Sequence, residues 1–427
     1  LGEYFQRNGV IDSEITPYKN VNRISSGTFI SIKNDRIKGG KYWSLADVKG
    51  SINYKNESDY TEEFTCLLQN AIKDRLELGD NNSIMLSGGL DSTSIYALAK
   101  TMERQEKKYQ VRSISAVFDE LTECDEREYI DELLQRYKDN GEYINYDNIL
   151  MFESFPYNLP YSYEPNVNSI SFDFTYNLVK RSVELGMNNI LSGYAGDHLL
   201  TGSLYVTRDF MKKGKIGKAF SYITNYSIST NTSAFQNFMN YVINPDVVNE
   251  FNKNKNSSFM QEINKNMMDI KNFNQKELYF QLINAKTHLY TDRVIGTLTG
   301  ADIQHPFLDK RLIEYVFKIP GELRFQGEYT KYILRQSMSS YLPKNIRNRI
   351  NKTTHLAYTY KSLRKNWAKI FTFMENPIIS NEFNIVSEDY WKKELGKWRN
   401  GMEVGDDFWT LFAMELWLMQ IYQDIRN

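Results

Sequence analysis

The sequence predicts an α/β protein built on a doubly wound parallel sheet with large helical additions. Two observations carry this. Between residues 58 and 191, short apolar runs of strand length alternate with helical periods of about ten to fifteen residues. The first run, Ile84-Met85-Leu86, is broken by Gly88-Gly89 and followed by Ile95, Leu98 and Met102 at helical spacing.

In chain order, Val21 to Ile32 reads as a hairpin-like β segment closed by Tyr42-Trp43-Ser44-Leu45, and residues 1–48 do not make a complete domain. Residues 49–57 read as a polar linker. A helix over 58–77 leads into a strand at 83–86, and a helix at 91–106 into a strand at 111–118. The charged segment 124–138 is predicted helical and Tyr143-Ile144-Asn145-Tyr146 a strand. A helix over 171–186 ends at Gly186, before a strand at Asn189-Ile190-Leu191. Residues 203–290, rich in Asn and Lys, keep helical spacing without strands, and 252–257 are expected to form a solvated loop. The last third is helical, and its aromatic run from Phe408 to Trp417 reads as packing.

The composition of the 427 residues, 41% hydrophobic and 25% charged, fits one large domain plus something smaller. A net charge of −1 argues against a general nucleic-acid binder. Two cysteines, Cys66 and Cys124, exclude a disulfide framework and a cysteine zinc site, and fit a reducing, cytoplasmic setting. Cys66 shares a helical pattern with Phe64, Leu67 and Ile72 and is expected in the core. No apolar run is long enough for a membrane span, and no signal peptide is visible. The chain starts at Leu1, so a fragment or processed product is expected.

Chemistry concentrates in Ser87-Gly88-Gly89-Leu90-Asp91-Ser92-Thr93-Ser94. A strand feeding a helix through small residues leaves backbone N–H groups and a helix dipole aimed at one point, which suits phosphate. Asp91, in the first helical turn, can hold magnesium against bound phosphates. No Gly-Lys-Ser or Gly-Lys-Thr occurs, so this is not the other common phosphate loop. Leu191-Ser192-Gly193-Tyr194-Ala195-Gly196-Asp197-His198 repeats the same logic. Both loops should leave the carboxyl ends of strands, letting Asp91 and Asp197 meet across one magnesium–pyrophosphate. The four histidines, His198, His288, His305 and His355, have no metal-ligand spacing and are assigned no catalysis.

Ser-Gly-Gly-Leu-Asp-Ser resembles the pyrophosphate-binding loop of the ATP pyrophosphatases, which include asparagine, argininosuccinate and GMP synthetases. That resemblance implies an ATP-pyrophosphatase fold using ATP and magnesium. Ser87, Gly88, Gly89, Leu90, Asp91 and Ser92 would hold the departing pyrophosphate with Ser192, Gly193 and Lys331, and Asp91 and Asp197 the metal. The second loop is similar to a signature of the asparagine synthetase branch. So are Asp292-Arg293, His305-Pro306-Phe307-Leu308-Asp309, the run from Gly327 to Arg335, and Leu342-Pro343 through Arg349 to Lys352, all in that branch's order. The resemblance thus covers roughly 58–427, with a helical insertion at about 203–290. Residues 1–48 resemble the tail of a glutaminase-type domain whose body is missing, so no glutaminase activity is assigned. The resemblance implies that Lys331 and Arg335 help hold the phosphates or the fold. It matches Lys352 to the lysine that neutralises charge on the adenylate or tetrahedral intermediate.

The acceptor amine is read from departures. Asparagine synthetases usually carry Glu at the place of Tyr194 and again at that of His198. Tyrosine there resembles β-lactam and carbapenam synthetases, where it works with a carboxylate as general base; the matching carboxylate, four residues before Pro306, is Asp302. An amine attacking an acyl adenylate must lose a proton, which such a pair could accept. The other reading is that Tyr194 packs over the adenylate and Asp302 caps a helix. The 105 residues from Asp197 to Asp302, with Tyr194 and Cys124-Asp125-Glu126-Arg127, look more like the lasso-peptide macrolactam synthetases. Those adenylylate an internal Asp or Glu of a small peptide, releasing pyrophosphate, and the peptide's N-terminal amine closes the ring as AMP leaves. The implied partners are that peptide and the pathway's leader peptidase and leader-binding protein. The alternatives are an asparagine synthetase using aspartate with ammonia or glutamine nitrogen, and a nucleotide-binding protein without catalysis, which intact Ser87, Asp91, Asp197 and Lys352 oppose. Transfer-RNA thiolation enzymes share the first loop, but sparse cysteines and neutral charge disfavour them.

Overall fold

The computed structural model describes residues 14, 16–245, 263, 265–402 and 404–426; the loop expected at 252–257 lies outside the described residues. The chain opens on an antiparallel hairpin of β1 (Thr28–Lys33) and β2 (Arg36–Lys41). Asn34 and Asp35, with φ of +48° and +59°, form the tight turn that two-residue hairpins require. The hairpin therefore sits later than the apolar run at 21–32, because the turn residues rather than that run set its register. Trp43 fastens it to the body by donating its indole N–H to Glu314 at 2.8 Å.

Helix α1 (Glu57–Leu76) buries Tyr60, Phe64, Leu68, Ile72 and Leu76 along one stripe. Cys66 is exposed, which corrects its expected core position: two residues from both Phe64 and Leu68, it points about 200° away from them. Then follow β3 (Asn81–Met85), α2 (Leu90–Glu106), β4 (Gln110–Val117), α3 (Arg127–Arg136), β5 (Glu142–Asn145), α4 (Phe172–Glu184) and β6 (Asn189–Ser192). All four predicted strands exist. A fifth, β7 (Asp302–Gln304), was not expected, since Asp-Ile-Gln has no apolar run.

The sheet is parallel throughout, ordered β5-β4-β3-β6-β7. The chain moves outward from β3 through β4 to β5, then returns to start β6 on the other side. That reversal puts the carboxyl ends of β3 and β6 side by side at a topological switch point, where α/β sheets bind ligands.

After β6 come α5 (Gly196–Leu200), α6 (Tyr205–Lys212), α7 (Ile216–Thr230), α8 (Phe273–Asn284) and α9 (Lys286–Thr299), with no strand among the described residues of 203–290. Two buried polar groups tie these helices to one another and to the segments around them. Asp209 accepts the N–H groups of Phe273 and Asn274 at 2.9 and 3.0 Å, satisfying the start of α8. Arg324 donates to the carbonyls of Asn274 at 3.1 Å and Thr201 at 2.8 Å. Beyond α10 (Lys310–Lys318) lies a short pair, β8 (Phe325–Gln326) and β9 (Tyr329–Thr330), also unexpected, followed by α11 (Tyr332–Ser337). Helices α12 (Leu356–Met374), α13 (Glu388–Arg399) and α14 (Asp406–Arg426) close a second apolar core around Phe155, Phe373, Trp391, Phe408 and Phe412. The aromatic run is packing, as its spacing predicts.

The Pro-Phe-Leu-Asp motif has a structural task. Phe307 is fully buried, and Asp309 caps α10 by accepting the Arg311 N–H at 3.0 Å. The same carboxylate meets Arg75 at 3.1 Å and Arg311 at 2.9 Å. Burial alone would raise its pKa, but hydrogen bonds from Arg311 and Arg75 outweigh this and hold it at about 2. A depressed carboxyl stabilises the fold fully above its unfolded value of about 3.9 and loses that contribution as pH falls towards about 2. Asp309→Asn should therefore cost about 2–4 kcal/mol near neutral pH. The difference from wild type should shrink over that acid window, as checked by urea unfolding at several pH values.

Candidate functional site

The loops after β3 and β6 meet because the second is built without side chains where it touches the first. A Cβ on Gly193 would lie 2.8 Å from the Ser92 nitrogen, and one on Gly196 2.5 Å from Asp91 Cγ. Ser192, Gly193 and Tyr194 therefore lie against the start of α2. The first loop is held by its own groups: Ser92 Oγ accepts the Ser87 N–H at 3.1 Å and lies 2.9 Å from Ser87 Oγ. The N-terminus of α2, a helix of 17 residues, opens into a cavity of about 520 Å³ lined by Ser87, Gly89, Leu90, Asp91 and Ser92.

Four charged groups from four segments converge there. Lys331, directly before α11, is buried and places Nζ 2.5 Å from Asp91 Oδ2 and 2.7 Å from Asp197 Oδ1. Lys352 reaches Asp197 Oδ2 at 2.5 Å from the segment after Arg349. Burial opposes a charged Lys331, but the two carboxylates outweigh it and raise its pKa. Burial also opposes ionised Asp197, yet Lys331 and Lys352 hold its carboxyl well below the usual range. Burial pushes Asp91 up against the pull of Lys331, and its Oδ1 is buried without a hydrogen-bond partner. The structure thus brings together Ser87 to Ser92, Ser192, Gly193, Asp197, Lys331 and Lys352.

Arg335 spends its guanidinium on the carbonyls of Thr330 and Arg349, each at 2.9 Å, and of Arg347. Its hydrogen bonds serve the fold, fastening the segment that carries Lys352. Two further residues were missed by sequence reasoning. Glu126 accepts the Gly88 N–H at 3.0 Å, and Arg349 bridges Glu126 and the Gly88 carbonyl at 2.9 and 3.0 Å. Arg349 also lies 4.0 Å over the Tyr129 ring. Only their place inside singled-out charged runs hinted at them; 223 residues separate the partners.

Tyr194 forms a different wall. Its hydroxyl donates to the Ala285 carbonyl at 2.7 Å, between α8 and α9. Burial, reinforced by Asp292, pushes its phenol well above the ordinary value, so it is neutral at physiological pH. Its ring stacks on His288 at 4.7 Å and 18°, and meets His198 at 5.5 Å and His305 at 5.6 Å. The expected partnership with Asp302 is not formed. Asp302 is exposed at the start of β7, opposite Asn189 at the start of β6. Tyr194 lies beyond the far end of β6, and the three steps from Asn189 to Ser192 alone span about 10 Å. The nearby carboxylate is Asp292, on α9, buried and 3.2 Å from His305 Nε2.

The asparagine synthase family model matches residues 63–419. No curated protein matches the sequence. Among solved structures, the chain is similar to the U34-tRNA thiolase NcsA from Methanococcus maripaludis with its 4Fe-4S cluster. That similarity has 14% identity and a TM-score of 0.27 over 57% of this chain and 85% of that one, too low to carry weight. The matched residues run from α1 into α14 and include both loops, both lysines and the Tyr194 wall. The chain belongs to the asparagine synthase family of ATP-using ligases.

Proposed function

We propose that this protein is an AMP-forming carbon–nitrogen ligase that activates a carboxylate as an acyl adenylate and joins it to an amine. We further propose that its substrate is a peptide whose N-terminal amine closes onto an internal Asp or Glu side chain. The observation that carries the ligase reading is the convergence of Asp91, Asp197, Lys331 and Lys352 beside the N-terminus of α2.

The residues divide the work. The serines and backbone of the first loop, with Ser192 and Gly193, would cradle the pyrophosphate, and the helix dipole favours its charge. Lys331 and Lys352 would stabilise charge that grows on the phosphates and on the acyl centre. Magnesium fits the donor set, since Asp91 Oδ1 is buried without a partner and Asp197 lies across Lys331 from it. Two carboxylates supplemented by phosphate oxygens are how proteins commonly hold this ion, and it would neutralise charge on the leaving pyrophosphate.

The peptide reading rests on the acyl side. Tyr194 and His288 make an aromatic wall there, and the Tyr194 hydroxyl ties that wall to the helical insertion. An aromatic wall backed by an added layer of helices favours a substrate larger than aspartate. On the same reading, residues 1–48 belong to a glutaminase-like domain, the protein is cytoplasmic, and a leader peptidase and leader-binding protein act beside it. No helix among the described residues is long and apolar enough to cross a membrane.

Pyrophosphate release from ATP should occur with synthetic peptides carrying a free N-terminal amine and an acidic residue several positions on, and mass spectrometry should show the product lighter by one water. Turnover confined to aspartate with ammonium would overturn the peptide reading. Asp91→Asn and Asp197→Asn should each lower ATP–pyrophosphate exchange at least about 100-fold. Gly193→Val should weaken ATP binding, measured by calorimetry, because its side chain would wedge the two loops apart at Ser92.

A further inference from the structure

We infer that His288 is the group that takes the proton from the attacking amine, with Tyr194 and Asp292 as its positioning residues. The inference rests on the ligase reading above and names the base which that chemistry needs.

Three of the chain's four histidines meet the ring of one tyrosine, so the wall opposite the charge cluster is an imidazole cluster. Within it only His288 both stacks on Tyr194 and lines the cavity. His198 and His305 are not among the cavity's lining residues, and each has a buried Nδ1 without a hydrogen-bond partner. His355 lines the cavity but packs on Phe118 and Phe174.

His288 and Asp292 are four residues apart on α9, so they share one helix face, and both line the cavity. Asp292 is itself fixed by His305 Nε2 at 3.2 Å. The arrangement is an imidazole with a carboxylate one turn further along the same helix, held flat against a tyrosine ring whose hydroxyl is engaged with Ala285. The groups facing His288 are Tyr194 and His198 from the second loop, Asp292 on its own helix and His305 after β7. Burial lowers the imidazole pKa, with Asp292 acting against this and His305 with it. The ring is therefore neutral at physiological pH, and the imidazolium formed during reaction gains from Asp292.

The step balances simply. The amine nitrogen attacks the acyl carbon and a C–N bond forms. One N–H proton passes to the His288 imidazole. The bond from the acyl carbon to the bridging oxygen breaks, and its electron pair leaves on AMP. Solvent then takes the proton from His288.

The test compares His288→Gln with wild type, using whichever of L-aspartate or the synthetic peptides supports exchange. Because His288 also belongs to the acyl-side wall, amide formation is read relative to the variant's own ATP–pyrophosphate exchange and to its hydroxamate formation with hydroxylamine, which needs little help to lose its proton. Amide formation should fall about 100- to 10,000-fold. In wild type it should decline on the acid side as both the amine and His288 become protonated, and in the variant only the limb of the amine should remain. Tyr194→Ala, which removes the stacked ring, should lose more amide formation than Tyr194→Phe, which keeps it. An unchanged amide rate and pH profile in His288→Gln, with exchange intact, would overturn the assignment of His288 alone. Absence of exchange in wild type with every probe would overturn the ligase reading, and this inference with it.

Discussion

The structure depends on one buried ammonium. Lys331 is 4% exposed and survives there only because Asp91 and Asp197 flank it. A cation taken out of water costs several kcal/mol unless paired, so the β3 and β6 loops must come together to supply both carboxylates. The backbone contributes as well, since Lys331 has φ of +56°, a strained setting for a residue with a side chain. Strain, burial and charge pairing are all concentrated at one residue, from which the first loop, the second loop and the Lys352 segment are each one ion pair or fewer than two dozen residues away.

Around that point the cavity has two unlike halves. One is polar and made of glycines, serines, lysines and carboxylates at the end of the sheet. The other is aromatic, with Tyr194 from the second loop stacked on His288 from α9. The polar half is braced by bonds between distant segments, with Glu126 accepting the Gly88 N–H and Arg349 donating to the Gly88 carbonyl. The aromatic half is braced by stacking and by a single hydroxyl on the Ala285 carbonyl.

Much of this was legible from the amino acids. The four strands showed because each is an apolar run bounded by turn residues, and the two Ser-Gly loops showed because tight approach leaves only small residues available. The helices described within 203–290 showed through their spacing. Other features were not legible, for physical reasons. Strand β7 is three residues with one aliphatic side chain, and its existence rests on ladder bonds to β6 rather than on its own pattern. Reading Asp302 as a site residue followed its place in a motif, but in a parallel strand the first residue lies at the end away from the crevice. Cys66 was misplaced because neighbours at helical spacing do not by themselves say which way the stripe faces. The links Glu126–Arg349 and Tyr194–Ala285 join segments 223 and 91 residues apart, and no local pattern records such a meeting.

The bond from the Tyr194 hydroxyl to the Ala285 carbonyl also bears on how such a scaffold can diversify. Ala285 is the junction between α8 and α9, on the path from the helices of 203–290 to β7. Changes of length or sequence in those helices would reach the cavity through that junction, acting on His288 and on the hydroxyl of Tyr194. The end of the sheet, braced separately by Lys331, Arg335 and Arg349, would stay in register. One half of the cavity could thus change shape while the other keeps its geometry.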